Sequence, residues 1–186
     1  MRYMVSFAIL GLLATTACSS SGSDGDLKEK SETGIAALFG PDQPDPEALT
    51  VAMDESGRTA DQVTVAVTVT GTNAVFAALF EVTFDDSAVE FVPPHAPGTL
   101  LESGGQGVAY FVNETAPGRL TVDAARLGGS GVDVTGTLPL VQLTFRATAA
   151  GSTAMTFENA ILYDDQPPTP QPIPGLSWFG GTLIAN

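Results

Sequence analysis

From residue 63 the chain alternates with period two. In VTVAVTVT (Val63 to Thr70) the valines at 63, 65, 67 and 69 fall on one side, and the threonines with Ala66 on the other. Side chains of a strand point alternately to its two faces, so this run predicts a half-buried β-strand. FAALFEVTF (Phe76 to Phe84) repeats the pattern. Phe76, Ala78, Phe80, Val82 and Phe84 share the inward face; Ala77, Leu79, Glu81 and Thr83 share the other. Shorter apolar runs follow at Val89 to Val92, Val108 to Asn113, Arg119 to Ala125, Val141 to Ala147, Ala154 to Phe157, Ala160 to Tyr163 and Trp178 to Ala185, and Leu49 to Met53 opens the series.

Turn-forming clusters separate these runs: SGRTAD, FDDSA, ESGGQG, APG, LGGSG, TAAGS and QPPTPQPIPG. Glycine, proline, serine and aspartate set or tolerate the backbone angles that reverse a chain. Roughly nine short strands with such clusters between them, and no long helical period, predict an all-β fold, an antiparallel β-sandwich.

The N-terminal part reads differently. Arg2 precedes an apolar stretch from Val5 to Ala14, and the small residue Ala17 precedes Cys18. This is the layout of a signal peptide over residues 1–17, too short for a stable membrane span. LLATTAC resembles a lipobox, at which bacterial lipoproteins are lipidated on cysteine and then cleaved; Thr15 stands where that pattern usually has leucine. Cys18 is the single cysteine of the chain. It has no internal disulfide partner, and lipidation gives it a role. The other reading is an ordinary signal peptide cut after Ala17. Two acyl chains would hold the mature protein to a membrane by its lipid alone. Ser19 is compatible with sorting to an outer membrane and display at the cell surface. Residues 18–46 read as the lipidated cysteine and a flexible stalk: SSSGSDGDLKEKSETG is too polar to fold, and PDQPDPE is extended. IAALFG (Ile35 to Gly40) is an apolar island in it, compatible with a helical turn or with packing on the domain. The domain is then expected over residues 47–186.

Composition narrows the partners. The formal net charge is −14, from 21 acidic against 7 basic residues. An excess of that size repels phosphate backbones and anionic headgroups, which excludes nucleic acid and direct electrostatic membrane binding.

An ordered set of segments across residues 49–185 is similar to the cohesin domain family. FEVTFDDSAVEFV (Phe80 to Val92) resembles the strand that ends in aromatic-Asp-x-Ser and leads into a second short strand. GTLL (Gly98 to Leu101) follows where cohesins carry a Gly-x-Leu-Leu turn. GRLTVDAA (Gly118 to Ala125) and LVQLTFRATAAGSTAMTFENAILYD (Leu140 to Asp164) supply the later strands, with Asn159, Ala160, Leu162 and Asp164 in the closing pattern. The resemblance implies a nine-stranded jelly-roll sandwich related to carbohydrate-binding modules. It also implies a partner: dockerins, small calcium-loaded helical modules of secreted enzymes, which cohesins hold on a flat sheet face. Strands three and six contribute to that face, which maps it onto Ala77, Leu79, Glu81, Thr83, Thr121, Asp123 and Ala125. Type I cohesins place Asn and Asp near the start of strand three, where this chain has Ala77 and Leu79. The more apolar face points to another dockerin class or another surface protein.

Residues able to carry chemistry are few. His95, the only histidine, lies in PPHAP, and no nucleophile-elbow motif accompanies it. No Cys/His spacing suits zinc. Asp85-Asp86 and Asp164-Asp165 lack the calcium-loop spacing and fit turns better. No cofactor and no enzymatic activity are therefore expected. Trp178, with Phe179, Tyr110 and Phe111, raises polysaccharide stacking, against the reading that Trp178 caps the core. Asn113-Glu114-Thr115 forms an N-glycosylation triplet, without consequence in a bacterial setting.

Overall fold

The computed structural model describes residues 34–186. The signal peptide, Cys18 and the polar part of the stalk lie outside the described residues. The elements in chain order are β1 (Ala37–Pro41), β2 (Thr50–Arg58), β3 (Gln62–Thr70), β4 (Ala77–Thr83), β5 (Val89–Pro97), a one-turn helix α1 (Thr99–Glu102) running into a 3-10 turn (Ser103–Gly105), β6 (Val108–Ala116), β7 (Arg119–Arg126), β8 (Thr137–Ala147), β9 (Gly151–Tyr163), β10 (Ser177–Phe179) and β11 (Gly181–Ala185). They form two sheets, ordered β1-β11-β9-β4-β7-β6 and β10-β2-β3-β8-β5. Neighbours are antiparallel, except that β10 runs parallel to β2. Both sheets lie within one compact unit, Glu32–Asn186.

The sandwich follows from the alternation. Val63, Val65, Val67 and Val69 of β3 are completely buried, as are Phe80 and Val82 of β4. The inward faces of the two sheets meet in a single apolar cluster. Phe80 lies edge-on to Phe157, with ring centroids 5.5 Å apart, and 5.9 Å from Trp178; Phe84 meets Phe145 at 5.3 Å. Aromatic rings favour such tilted contacts because the positive edge of one meets the negative face of the next. The outside of the five-stranded sheet is polar, with threonine hydroxyls bonded across strands: Thr64 to Thr144 at 3.2 Å and Thr70 to Thr137 at 2.8 Å.

The strands number eleven rather than nine; starting from the ten apolar runs of the sequence, one strand is added, two runs merge and one divides. IAALFG is a strand. Ala37 and Phe39 point inward and are buried, and β1 pairs with β11 from Ala37–Ala185 to Pro41–Gly181. The sandwich therefore begins before the proline-rich run, which carries the chain from one sheet to the other instead of marking the domain edge. AMTF and AILY belong to the single strand β9, interrupted by an irregularity opposite Leu79–Glu81 where Asn159 takes φ 48°. Asparagine tolerates that left-handed conformation better than most residues. Finally, the closing run divides at Gly180–Gly181, where the chain changes sheets. A Cβ at Gly180 would lie 1.9 Å from the Met155 carbonyl oxygen, and one at Gly181 would lie 2.2 Å from the Phe39 ring. Only a residue without a side chain passes there.

Candidate functional face

The outward side of the six-stranded sheet is where the two halves of the alternation come apart chemically. β4 and β7 are paired from Ala77–Ala125 through Leu79–Asp123 and Glu81–Thr121 to Thr83–Arg119. Directly opposed residues share a face. Ala77, Leu79, Glu81, Thr83, Thr121, Asp123 and Ala125 thus lie together on one surface, as the period-two argument requires. The flanking strands add residues that the sequence reading did not place there. β6 brings Ala109, Phe111 and Asn113 beside Ala125, Asp123 and Thr121. β9 brings Tyr163, Ile161, Glu158 and Thr156 beside Ala77, Leu79, Glu81 and Thr83.

One half of this surface is apolar. Leu79 sits between Asp123 and Ile161, and Phe111 lies on the far side of Asp123. Leu79 is 37% exposed and Phe111 70%, so no described loop covers them. Leu127, also 70% exposed, extends the patch past the end of β7. The contrast with the threonine-lined outside of the other sheet is direct. Exposed apolar side chains gathered on one sheet face mark a contact surface.

The other half is polar and internally tied. Arg119 donates to the carboxylates of Glu81 and Glu158, the latter at 2.8 Å, and Asn159 Nδ2 donates to Glu81 at 2.9 Å. The hydrogen bonds to Glu158 and Glu81 hold the Arg119 guanidinium above its already high ordinary pKa. Thr83 and Thr156 join hydroxyls at 2.6 Å. Three carboxylates (Glu81, Asp123 and Glu158) share this face with one cation, which favours a partner carrying positive charge beside an apolar ridge. Arg119, Glu158 and Asn159 escaped the sequence reading because their meeting depends on the β9 irregularity, which no local pattern announces. Phe111 and Ile161 were legible as alternating residues, but their strands were not assigned to this sheet.

The remaining candidates resolve into structural roles. Trp178 is no outward platform: its half-buried ring packs on Phe157 at 5.0 Å and on Phe80, closing the core between the sheets. Asp85 Oδ1 accepts the Ser87 N–H at 2.9 Å, and its hydrogen bonds to Ser87 lower its pKa. Asp164 Oδ1 accepts from the N–H groups of Gln166 and Gln171, and Asp165 accepts from Gly131 at 2.7 Å. These carboxylates therefore hold turns. His95 lies in an irregular part of β5 rather than a free turn. Its ring stacks on Phe91, and Nδ1 lies 3.3 Å from the Tyr110 hydroxyl, joining the edges of the two sheets.

Burial pushes the Tyr110 phenol up to about 12. Because the folded value lies above the unfolded one of about 10, the neutral phenol favours the folded state. That contribution is complete below pH ~10 and is lost as pH rises toward ~12. Urea unfolding at stepped pH is expected to show stability falling across that window, and Tyr110→Phe is expected to flatten the slope. An identical slope in the variant would assign the effect to other groups.

The family model for the cohesin domain matches residues 48–170. No match among curated proteins was found by sequence. Among solved structures, the chain is similar to CaCohA2 of Clostridium acetobutylicum in a complex, with TM-score 0.57, 20% identity, and coverage of 72% of this chain and 96% of that one. It is also similar to the sixth cohesin of Acetivibrio cellulolyticus scaffoldin B in complex with a Cel5 dockerin, at TM-score 0.53, 18% identity, and coverage of 81% and 97%. A type II cohesin from the cellulosome of the same organism gives TM-score 0.54, 13% identity, and coverage of 80% and 95%. At these identities the structural matches speak for the fold.

Proposed function

The chain belongs to the cohesin domain family, a family of protein-binding modules rather than enzymes, and we propose that it is a receptor for a dockerin-type module, which it holds on the outward face of β9-β4-β7-β6. The observation that carries this reading is the pair of exposed side chains Phe111 and Leu79, with half-buried Ile161 beside Leu79, Asp123 between the two, and Glu81 and Glu158 further along the face. A helical partner with apolar residues along one side and lysine or arginine beside them matches it. The apolar ridge supplies affinity, and the carboxylates at its margin steer approach and orientation. A sheet face of this kind suits a helix laid across it rather than a small ligand enclosed in a pocket.

The proposal extends to the whole chain. Cys18, following an apolar export segment, would carry the lipid, and the polar residues after it would space the sandwich from the membrane. The module would then display a dockerin-bearing secreted protein at the cell surface, with polysaccharide degradation as the natural task of such a protein. Calorimetry of residues 32–186 against the dockerin modules encoded by the same genome, with calcium and with chelator, tests the central claim. Calcium-dependent binding to at least one is expected. Silence against all of them, with retention on a polysaccharide array, would replace the dockerin by a glycan.

A further inference from the structure

A β-sandwich of two open sheets has unpaired edges, and natural sheets protect them by brevity, proline, lysine or irregularity. The edges here are β1, β6, β10 and β5. β10 has 3 residues. β1 has 5, ending in Gly40 and Pro41. β5 contains Pro93, Pro94 and Pro97 and loses register between Val92 and Ala96. β6 has 9 residues, VAYFVNETA, with neither proline nor lysine, and its one irregularity lies at its end, between Glu114 and Ala116. Among the described residues its backbone is bonded only to β7.

The groups left free on β6 follow from the ladder. Arg126 N–H donates to Phe76, and Phe84 N–H donates to Gly118. The peptide groups of Leu120, Val122, Ala124 and Arg126 therefore turn to β4, and those of Thr121, Asp123 and Ala125 turn to β6. Leu127 N–H donating to Gly107 fits the same alternation. Opposite them, Ala109, Phe111 and Asn113 bond back to β7. The N–H and C=O groups of Val108, Tyr110, Val112 and Glu114 face outward without a strand to meet.

We propose that β6 pairs antiparallel with β6 of a second copy, making one continuous sheet across a two-fold axis at Phe111. The occupant follows from the edges: an edge is completed by another strand, and among the described residues β6 is the least protected edge a second copy has to offer. The register follows from the free groups. The pairing that engages all of them sets Val108 against Glu114 and Tyr110 against Val112, and its midpoint is Phe111. This is also the residue whose exposed ring needs a cover. The two Phe111 side chains then meet as a non-hydrogen-bonded pair, with Cα atoms ~4.5 Å apart. No acid faces an acid in this register, and both docking faces look the same way. The isologous contact closes at two copies.

Sedimentation of residues 32–186, without any dockerin, tests this from micromolar to millimolar concentration. A concentration-dependent dimer is expected, tightening with added salt because the net negative charge of each copy is screened. Amide exchange at Tyr110 and Val112 is expected to slow as the dimer fills, while that of Phe111, already bonded to β7, stays unchanged. Phe111→Lys sets two ammonium groups together on the axis and is expected to return the monomer; its exposed position spares the fold. Val112→Pro removes an outward donor and is expected to do the same. A monomer at every concentration overturns the proposal, as does a dimer that survives Phe111→Lys with unchanged exchange at Tyr110 and Val112. Leu79→Asp is expected to leave the dimer intact, which separates the strand-edge contact from the rest of the docking face; Phe111 belongs to both.

Discussion

Leu79→Asp is expected to weaken dockerin binding by about 100-fold or more while leaving the fold intact. Leu79 sits near the middle of the apolar half of the face, between Asp123 and Ile161, with Phe111 close by. Central apolar anchors are where truncation costs most, about 2–4 kcal/mol. Aspartate adds a carboxylate that the docked partner would bury without a counter-ion, which raises the cost further. It also stands directly across from Asp123, and like charges at opposed positions disfavour each other. The folded state pays little, because Leu79 is already 37% exposed and surface changes usually stay within about 0.5 kcal/mol. Calorimetry with the cognate dockerin and a thermal melt read the two effects separately. Unchanged affinity would move the docking site off this face. A collapsed melt would make Leu79 a core residue.

Phe80→Ala is expected to remove about 3–5 kcal/mol of stability, the usual cost of emptying a buried aromatic site. Phe80 is one residue from Leu79 in sequence and opposite to it in environment. It is completely buried and touches Phe157 and Trp178. A domain of this size loses roughly 2–4 °C in Tm per kcal/mol. The melt should therefore fall by about 6–20 °C, and Trp178 emission should shift red as water reaches the ring. A loss below about 1 kcal/mol would mean that the two sheets do not meet at this residue.

These neighbours also show what the sequence makes legible. A period of two separates Phe80 from Leu79 without any structure, because an antiparallel strand with one dry face must alternate. The same logic places all seven proposed face residues together. It fails where a strand is short or interrupted. IAALFG carries only Ala37 and Phe39 as its inward pair, too few to separate a strand from a helical turn. The Arg119 cluster depends on Asn159 at φ 48°, a backbone event decided by the partner strand. Trp178 looks like a sugar platform until the fold shows which side of β10 faces the core. Long alternation thus reports inside and outside reliably, whereas the neighbours of an edge or interrupted strand belong to tertiary pairing.

The pairing of β1 with β11 has a mechanical consequence. Ala36 and Asn186 exchange both of their backbone hydrogen bonds, so the chain enters the sheet beside the strand that leaves it last. A tension directed along β1 from residue 34 would load that strand lengthwise. The pairs from Ala37–Ala185 to Pro41–Gly181 are then sheared together instead of unzipped one by one. Loaded in that direction, the short edge strand gives way only when its paired residues part together.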